Sequence, residues 1–159
     1  MTPLAVLRPE PGNAVTVRRI EALGRAAIAM PLFAVTPLDW VAPDPAAFDA
    51  VLLTSANAVR MAGPQLARLA SLPVYAVGGA TADSARAAGL TVAHEGVDDG
   101  AALLAAAQAV GVRRALLLAG RDRGIDTGGI VARAVAVYAS DPLPAPDLAR
   151  LPGSVALIH

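Results

Sequence analysis

Short runs of consecutive apolar residues, each closed by glycine, proline or a polar side chain, recur along this sequence. Residues 50–53, AVLL, are apolar at every position, as in a central parallel strand covered on both faces. Thr54 and Ser55 fall where that strand stops, and Ser55 is a good N-cap for a helix opening at Ala56. The unpaired N–H groups of the helix's first turn, with the dipole behind them, suit an anion. The plainer alternative is that Ser55 only caps the helix.

The same pattern places the other elements. Residues 4–7 predict a strand stopped by Arg8 and Pro9. Asn13 then caps a helix to Leu23, with Val17, Ile20 and Leu23 on its buried face, and Gly24 closes it. Residues 27–35 predict the next strand, with Pro31 implying an edge or a bend. The helix 56–70 is expected to break or kink at Pro64. Strands at 74–77, 90–93 and 115–118 alternate with helices at 81–88, ended by Gly89, and from Asp99 to Val110. Beyond Ala119 the sequence GRDRGIDTGG is too rich in Gly and Asp for a helix, and 130–138 and 155–158 read as strands.

Alternating strands and helices predict the α/β class, with parallel sheets and helices on both faces. Two proline-rich stretches, 36–45 and 140–152, read as crossing segments, not packed elements. They bracket a middle α/β domain at 46–139, which leaves 1–35 and 153–159 as parts of a discontinuous and incomplete first domain. A strand at 155–158 should be buried on both faces, yet no helix follows to cover it; this 159-residue form is therefore expected to aggregate or dimerise through its first domain.

Composition narrows the function classes. Hydrophobic residues are 55% of the chain and aromatics 3%, so the core is built from Ala, Val and Leu, and disorder is not expected. Net charge is zero, so nucleic acid has no electrostatic claim. All 13 basic residues are arginine, which excludes Schiff-base catalysis and a phosphate-loop lysine. There is no cysteine, and only His94 and His159 could offer imidazole, so no metal site is expected. No apolar run reaches the roughly 20 residues of a membrane helix, and no signal-peptide layout opens the chain; a cytoplasmic protein is the default.

In an open α/β sheet, ligands sit beyond the carboxyl ends of the strands. Residues 54–57, 78–81 and 120–124 meet that description, so hydroxyls, helix N-termini and Arg121 and Arg123 would share one rim. A helix N-terminus contributes about 0.3–1 kcal/mol to a nearby negative charge, and arginine adds a bidentate contact to a carboxylate. The rim suits a ligand with several carboxylates. Alternatively, Arg121 and Arg123 pair with Asp122 and Asp126 at the surface. No nucleophile–base pair is evident: TSANA lacks the G-x-S-x-G elbow, and Gly78, Gly79 and Gly89 do not spell G-x-G-x-x-G.

A strand running into Arg8-Pro9, the Met30-Pro31-Leu32 element, LLTSANAV at 52–59, VGGATAD at 77–83 and a strand containing Tyr138 together resemble the uroporphyrinogen-III synthase family, in the same order over most of the chain. The resemblance implies two α/β domains joined by a two-stranded crossing, with a cleft between them and no cofactor, and a monomer for the full-length family. It implies a cyclising hydro-lyase of haem biosynthesis. Its substrate is hydroxymethylbilane, a linear tetrapyrrole carrying acetate and propionate arms, which is closed with loss of water and inversion of the last ring through a spiro intermediate. Carried over by position, Arg8, Thr54, Ser55, Asn57 and Thr81 bind substrate, and Tyr138 assists water loss. Packing within a strand is the alternative role for Tyr138.

Three departures accompany the resemblance. Leu7 stands where the family usually has threonine, the region after Gly120 is short, and the family normally continues beyond His159. The reading of another class is a non-catalytic doubly wound domain that binds a small anionic ligand.

Overall fold

A computed structural model of the chain describes residues 2–97, 99–122, 128–147, 149 and 153–157. The chain divides into two compact units, Met1–Val35 with Ser140–His159, and Thr36–Ala139.

The first unit is built on a three-stranded parallel sheet. Its strands are β1 (Leu4–Val6), β2 (Ala27–Ala29) and β9 (Val155–Leu157), with β1 in the middle. Helix α1 (Gly12–Ala22) makes the crossover from β1 to β2. Ile20 is buried with Ala5, Val6 and Met30, whereas Leu23, expected on the same face, lies past the helix end and is 80% exposed.

Asn13 does not cap α1. The cap position is Pro11, and the Asn13 amide is buried, its Nδ2 donating to Val6 O at 2.7 Å and Arg8 O at 2.9 Å. A buried amide inside the first turn is more useful tying the strand end to the helix than serving one free N–H.

The strand expected at 27–35 is two strands in different sheets. Pro31 has no N–H to give a ladder, and the chain turns there: Met30 N–H donates to Val6 O and Leu32 N–H to Leu7 O before β3 (Phe33–Pro37) begins. β9 is the uncovered strand that the sequence leads one to expect. Val155 is 51% exposed and Ala156 is exposed, and among the described residues β9 is an edge strand paired with β1; residue 158 lies outside the described residues.

The second sheet has six strands in the order β3, β8 (Val131–Pro142), β7 (Ala115–Gly120), β4 (Ala50–Leu53), β5 (Val74–Val77) and β6 (Val92–Gly96). β4 to β8 are mutually parallel. β3 runs against β8: Leu38 N–H donates to Val137 O at one end and Leu143 N–H to Leu32 O at the other. Both β3 and β8 extend into the proline-rich stretches, since prolines at strand ends and on edges cost no ladder bond.

Every residue of β4 is buried, as a strand in the middle of a sheet covered on both sides requires. Ala50, Leu52, Tyr75 and Leu117 pack with Leu103 and Ala107 of α4 (Gly100–Ala109). Alternate residues point the other way, where α2 (Ala56–Met61) meets β4 and β7 and α3 (Gly79–Ala87) meets β5. The chain is therefore an α/β protein with parallel sheets.

Pro64 ends α2 as expected, and a 3-10 stretch, Gly63–Leu69, carries the chain onward. Asp99 caps α4 through the Ala101 N–H at 2.9 Å. β6 begins and ends later than the apolar run at 90–93 suggests: β-branched Val92 starts an edge strand whose burial alternates, so polar His94 and Glu95 are accommodated within it.

Asp49 holds the start of β4 to the turn before β7. Its Oδ2 accepts from the backbone N–H of Arg113 at 2.9 Å and of Arg114 at 2.8 Å, and the Arg114 guanidinium adds a bond to Ala47 O. These N–H groups, Arg113 first, favour the carboxylate and hold its pKa below the usual 3.8. A depressed folded pKa stabilises the fold above the unfolded value, and that contribution is lost as pH falls through the folded one. Asp49→Asn is thus expected to lower the urea midpoint near neutral pH and to match the parent once acid has protonated Asp49. A deficit of equal size in acid would contradict this assignment.

Candidate functional site

Because β4, β5, β7 and β8 are parallel, their carboxyl ends lie along one rim of the sheet. Leu53 is in register with Ala76 on one side and Leu118 on the other, and Gly120 is in register with Tyr138. Thr54, Ser55, Gly78, Gly120 and Tyr138 therefore follow one another across that rim, with α2 and α3 starting from it.

Ser55 is the N-cap of α2, its Oγ accepting from Asn57 N–H at 3.2 Å. A cap of this kind contributes about 0.5–2 kcal/mol. It leaves the hydroxyl proton available, so capping and ligand binding are compatible. The Asn57 Oδ1 accepts from Arg60 at 3.4 Å, so its NH₂ is the end of the amide that would meet a carboxylate.

α3 starts earlier than expected. Gly78 caps it at φ +73°, a left-handed conformation that a side chain would strain, and Thr81 is the third helical residue, only 5% exposed. The first turn of α3 has an acidic neighbour: a Cβ on Gly79 would lie 3.1 Å from Glu95 Oε1. Glu95 also pairs with Arg86 at 3.1 Å, and Arg86 with Asp83 at 3.1 Å. The sequence reading missed this group because it ended the strand after α3 at Ala93, short of Glu95.

Tyr138 is buried, 6% exposed, with its ring laid against Gly120: a Cβ there would stand 2.8 Å from Cε2 and Cζ and 3.1 Å from the hydroxyl oxygen. Arg121 follows with its backbone N–H on Tyr138 O at 2.8 Å, and its side chain pairs with Asp122 at 3.3 Å. The surface-pairing alternative holds for this arginine; Arg123 and Asp126 lie outside the described residues.

Arg8 belongs to the first unit, at the carboxyl end of β1. Its guanidinium lies over Gly12, where a Cβ would come within 2.5 Å of Nε, and Nη1 reaches Thr16 Oγ1 at 3.4 Å. Glycine at the start of α1 is thus what makes room for the arginine.

One feature of the rim carries no signal in the sequence. Between α4 and the sheet is an apolar cavity of about 130 Å³. Its buried walls are Leu52, Leu103, Leu117 and Val131, and it meets solvent at half-buried Thr54 and Leu104 and exposed Gly100. Among the described residues Thr54 supplies the one polar side chain in this lining. No helix among the described residues is long and apolar enough to cross a membrane.

Comparison with known proteins agrees with this arrangement. A family model described as uroporphyrinogen-III synthase HemD matches residues 14–148. A crystal structure of a mutant uroporphyrinogen III synthase from the extremely thermophilic bacterium Thermus thermophilus superposes with a TM-score of 0.56 at 18% identity, over 89% of this chain and 64% of that one. A wild-type structure from the same bacterium gives 0.46 at 19% identity, over 89% and 63%. The first likeness shows a shared fold. The chain spans about 64% of the length of that solved protein. No curated protein matches the sequence.

Proposed function

The chain belongs to the uroporphyrinogen-III synthase family, and from that premise we propose that it closes hydroxymethylbilane to uroporphyrinogen III in the cytoplasm. The observation that carries the reading is the family match across the whole second unit, and the hydroxyls of Thr54 and Ser55 just beyond the carboxyl end of β4 support it. In this reading 46–139 is the inserted middle domain, and 36–45 and 140–152 are the crossings.

Arg8, Thr54, Ser55, Asn57 and Thr81 then bind substrate, with Ser55, Thr81 and the backbone N–H groups after each sharing its carboxylates. Tyr138 gives a proton to the departing hydroxyl, which leaves as water. Its burial against Gly120 fixes where the phenol can donate, and positioned proton transfer is worth about a hundred- to ten-thousandfold.

The test is the isomer made from hydroxymethylbilane by the 159-residue protein. Inverted product is expected in small amount from this form, and Tyr138→Phe should reduce kcat by about a hundredfold or more with KM little changed. An unchanged kcat removes Tyr138 as the acid. Carboxylate binding without any inverted product would instead identify a non-catalytic anion-binding domain.

A further inference from the structure

The cavity beside Thr54 has the size and polarity of a site for one small, uncharged ring. A dry apolar cavity of about 150 Å³ accepts benzene, and a five-membered ring needs less than the about 130 Å³ found here. Among the described residues no charged side chain lines it, and the hydroxyl of Thr54 stands where the cavity meets the rim. Such a site accepts an N–H and rejects a carboxylate, whose burial without a partner costs far more than one hydrogen bond returns.

Resting on the function proposed above, the ligand's chemistry selects which ring can enter. Every inner ring of a linear tetrapyrrole is substituted at all four carbons, two by linking methylenes and two by charged arms. Only a terminal ring without a hydroxymethyl group has a bare edge, made of its nitrogen and one unsubstituted carbon. We propose that the cavity holds the last ring by this bare edge, with its N–H on Thr54 Oγ1 and its charged arms left outside.

Held so, the ring has its unsubstituted carbon among leucines and its substituted carbon facing the rim. Water leaves the first ring, its hydroxyl from the methylene carbon and a proton from the ring nitrogen. The last ring's substituted carbon then supplies the electron pair for the new carbon–carbon bond. The bond from that carbon to the third ring's methylene breaks, with its electrons returning to the last ring. The bare edge must leave the cavity at this stage, because the unsubstituted carbon now takes that methylene and loses its proton. The cavity acts on the first bond only, by hiding the carbon whose direct attack would give the uninverted ring.

Binding of simple pyrroles to the 159-residue protein tests this without turnover, so its failure is separate from failure of the assay above. A pyrrole methylated at one carbon beside nitrogen should shift the labelled methyl signals of Leu52, Leu103, Leu104 and Leu117. Methylation at both such carbons should weaken binding about tenfold or more, since neither edge then fits. Thr54→Val should weaken the first ligand by about two- to tenfold, the effect of one lost hydrogen bond. Leu104→Trp, which fills the mouth, should abolish the response while leaving the thermal midpoint near that of the parent. No methyl shifts at millimolar ligand, equal affinity for the two pyrroles, or shifts that persist in a folded Leu104→Trp would each overturn the proposal.

Discussion

Gly120→Ala is expected to destabilise the second unit by about 1–3 kcal/mol, the usual cost of overpacking a tight interior. The new methyl would stand 2.8 Å from two ring carbons of Tyr138, well inside contact distance. A flexible side chain could yield its tip, but this ring is rigid and nearly fully buried. Gly120 is not in the left-handed region, so the effect is one of space, not of backbone strain. The double variant with Tyr138→Ala separates the two: once the ring is gone, adding the methyl should cost little. Urea titration of the four proteins reads this coupling. Equal costs of Gly120→Ala with and without the ring would show that the contact does not set the fit.

Leu53→Ala should be the more damaging change, about 2–5 kcal/mol, because it removes a wholly buried side chain from the strand with neighbours on both sides. Its register partners Ala76 and Leu118 lie in strands held by hydrogen bonds and cannot collapse into the space. Leu23→Ala removes the same atoms from a residue that is mostly in water, and should stay within about 0.5 kcal/mol. The pair of melts thus tests whether burial, not residue type, determines the cost; similar losses at both positions would refute it.

The two leucines also show what could be read from sequence. Residues 50–53 declare a central strand because all four are apolar and a hydroxyl cap follows, and the structure agrees to the residue. Leu23 satisfies helical spacing equally well, but spacing cannot say where the helix stops, and α1 ends one residue before it. Asn13 failed because it serves two carbonyls of the preceding strand end; Pro31 does mark a turn between two edge strands, but local sequence could not say that they belong to different sheets. The hydroxyls of the rim could be found because strand ends are local in sequence. Contacts such as Glu95 beside Gly79, Tyr138 on Gly120 and the cavity under α4 depend on which strands are neighbours, and no local pattern carries that.

Strand order also has a consequence for the chain as it is synthesised. β4, β5 and β6 are adjacent in both sequence and sheet, so each can pair as soon as it emerges. β7 must return to the far side of β4, and β8 must add beyond it. β3 is made before any of them and finds its partner last: Leu38 waits for Val137, about a hundred residues later. Throughout that interval its Phe33 and Val35 have no strand to pair with, so the oldest strand of the sheet spends longest as an open edge on the nascent chain.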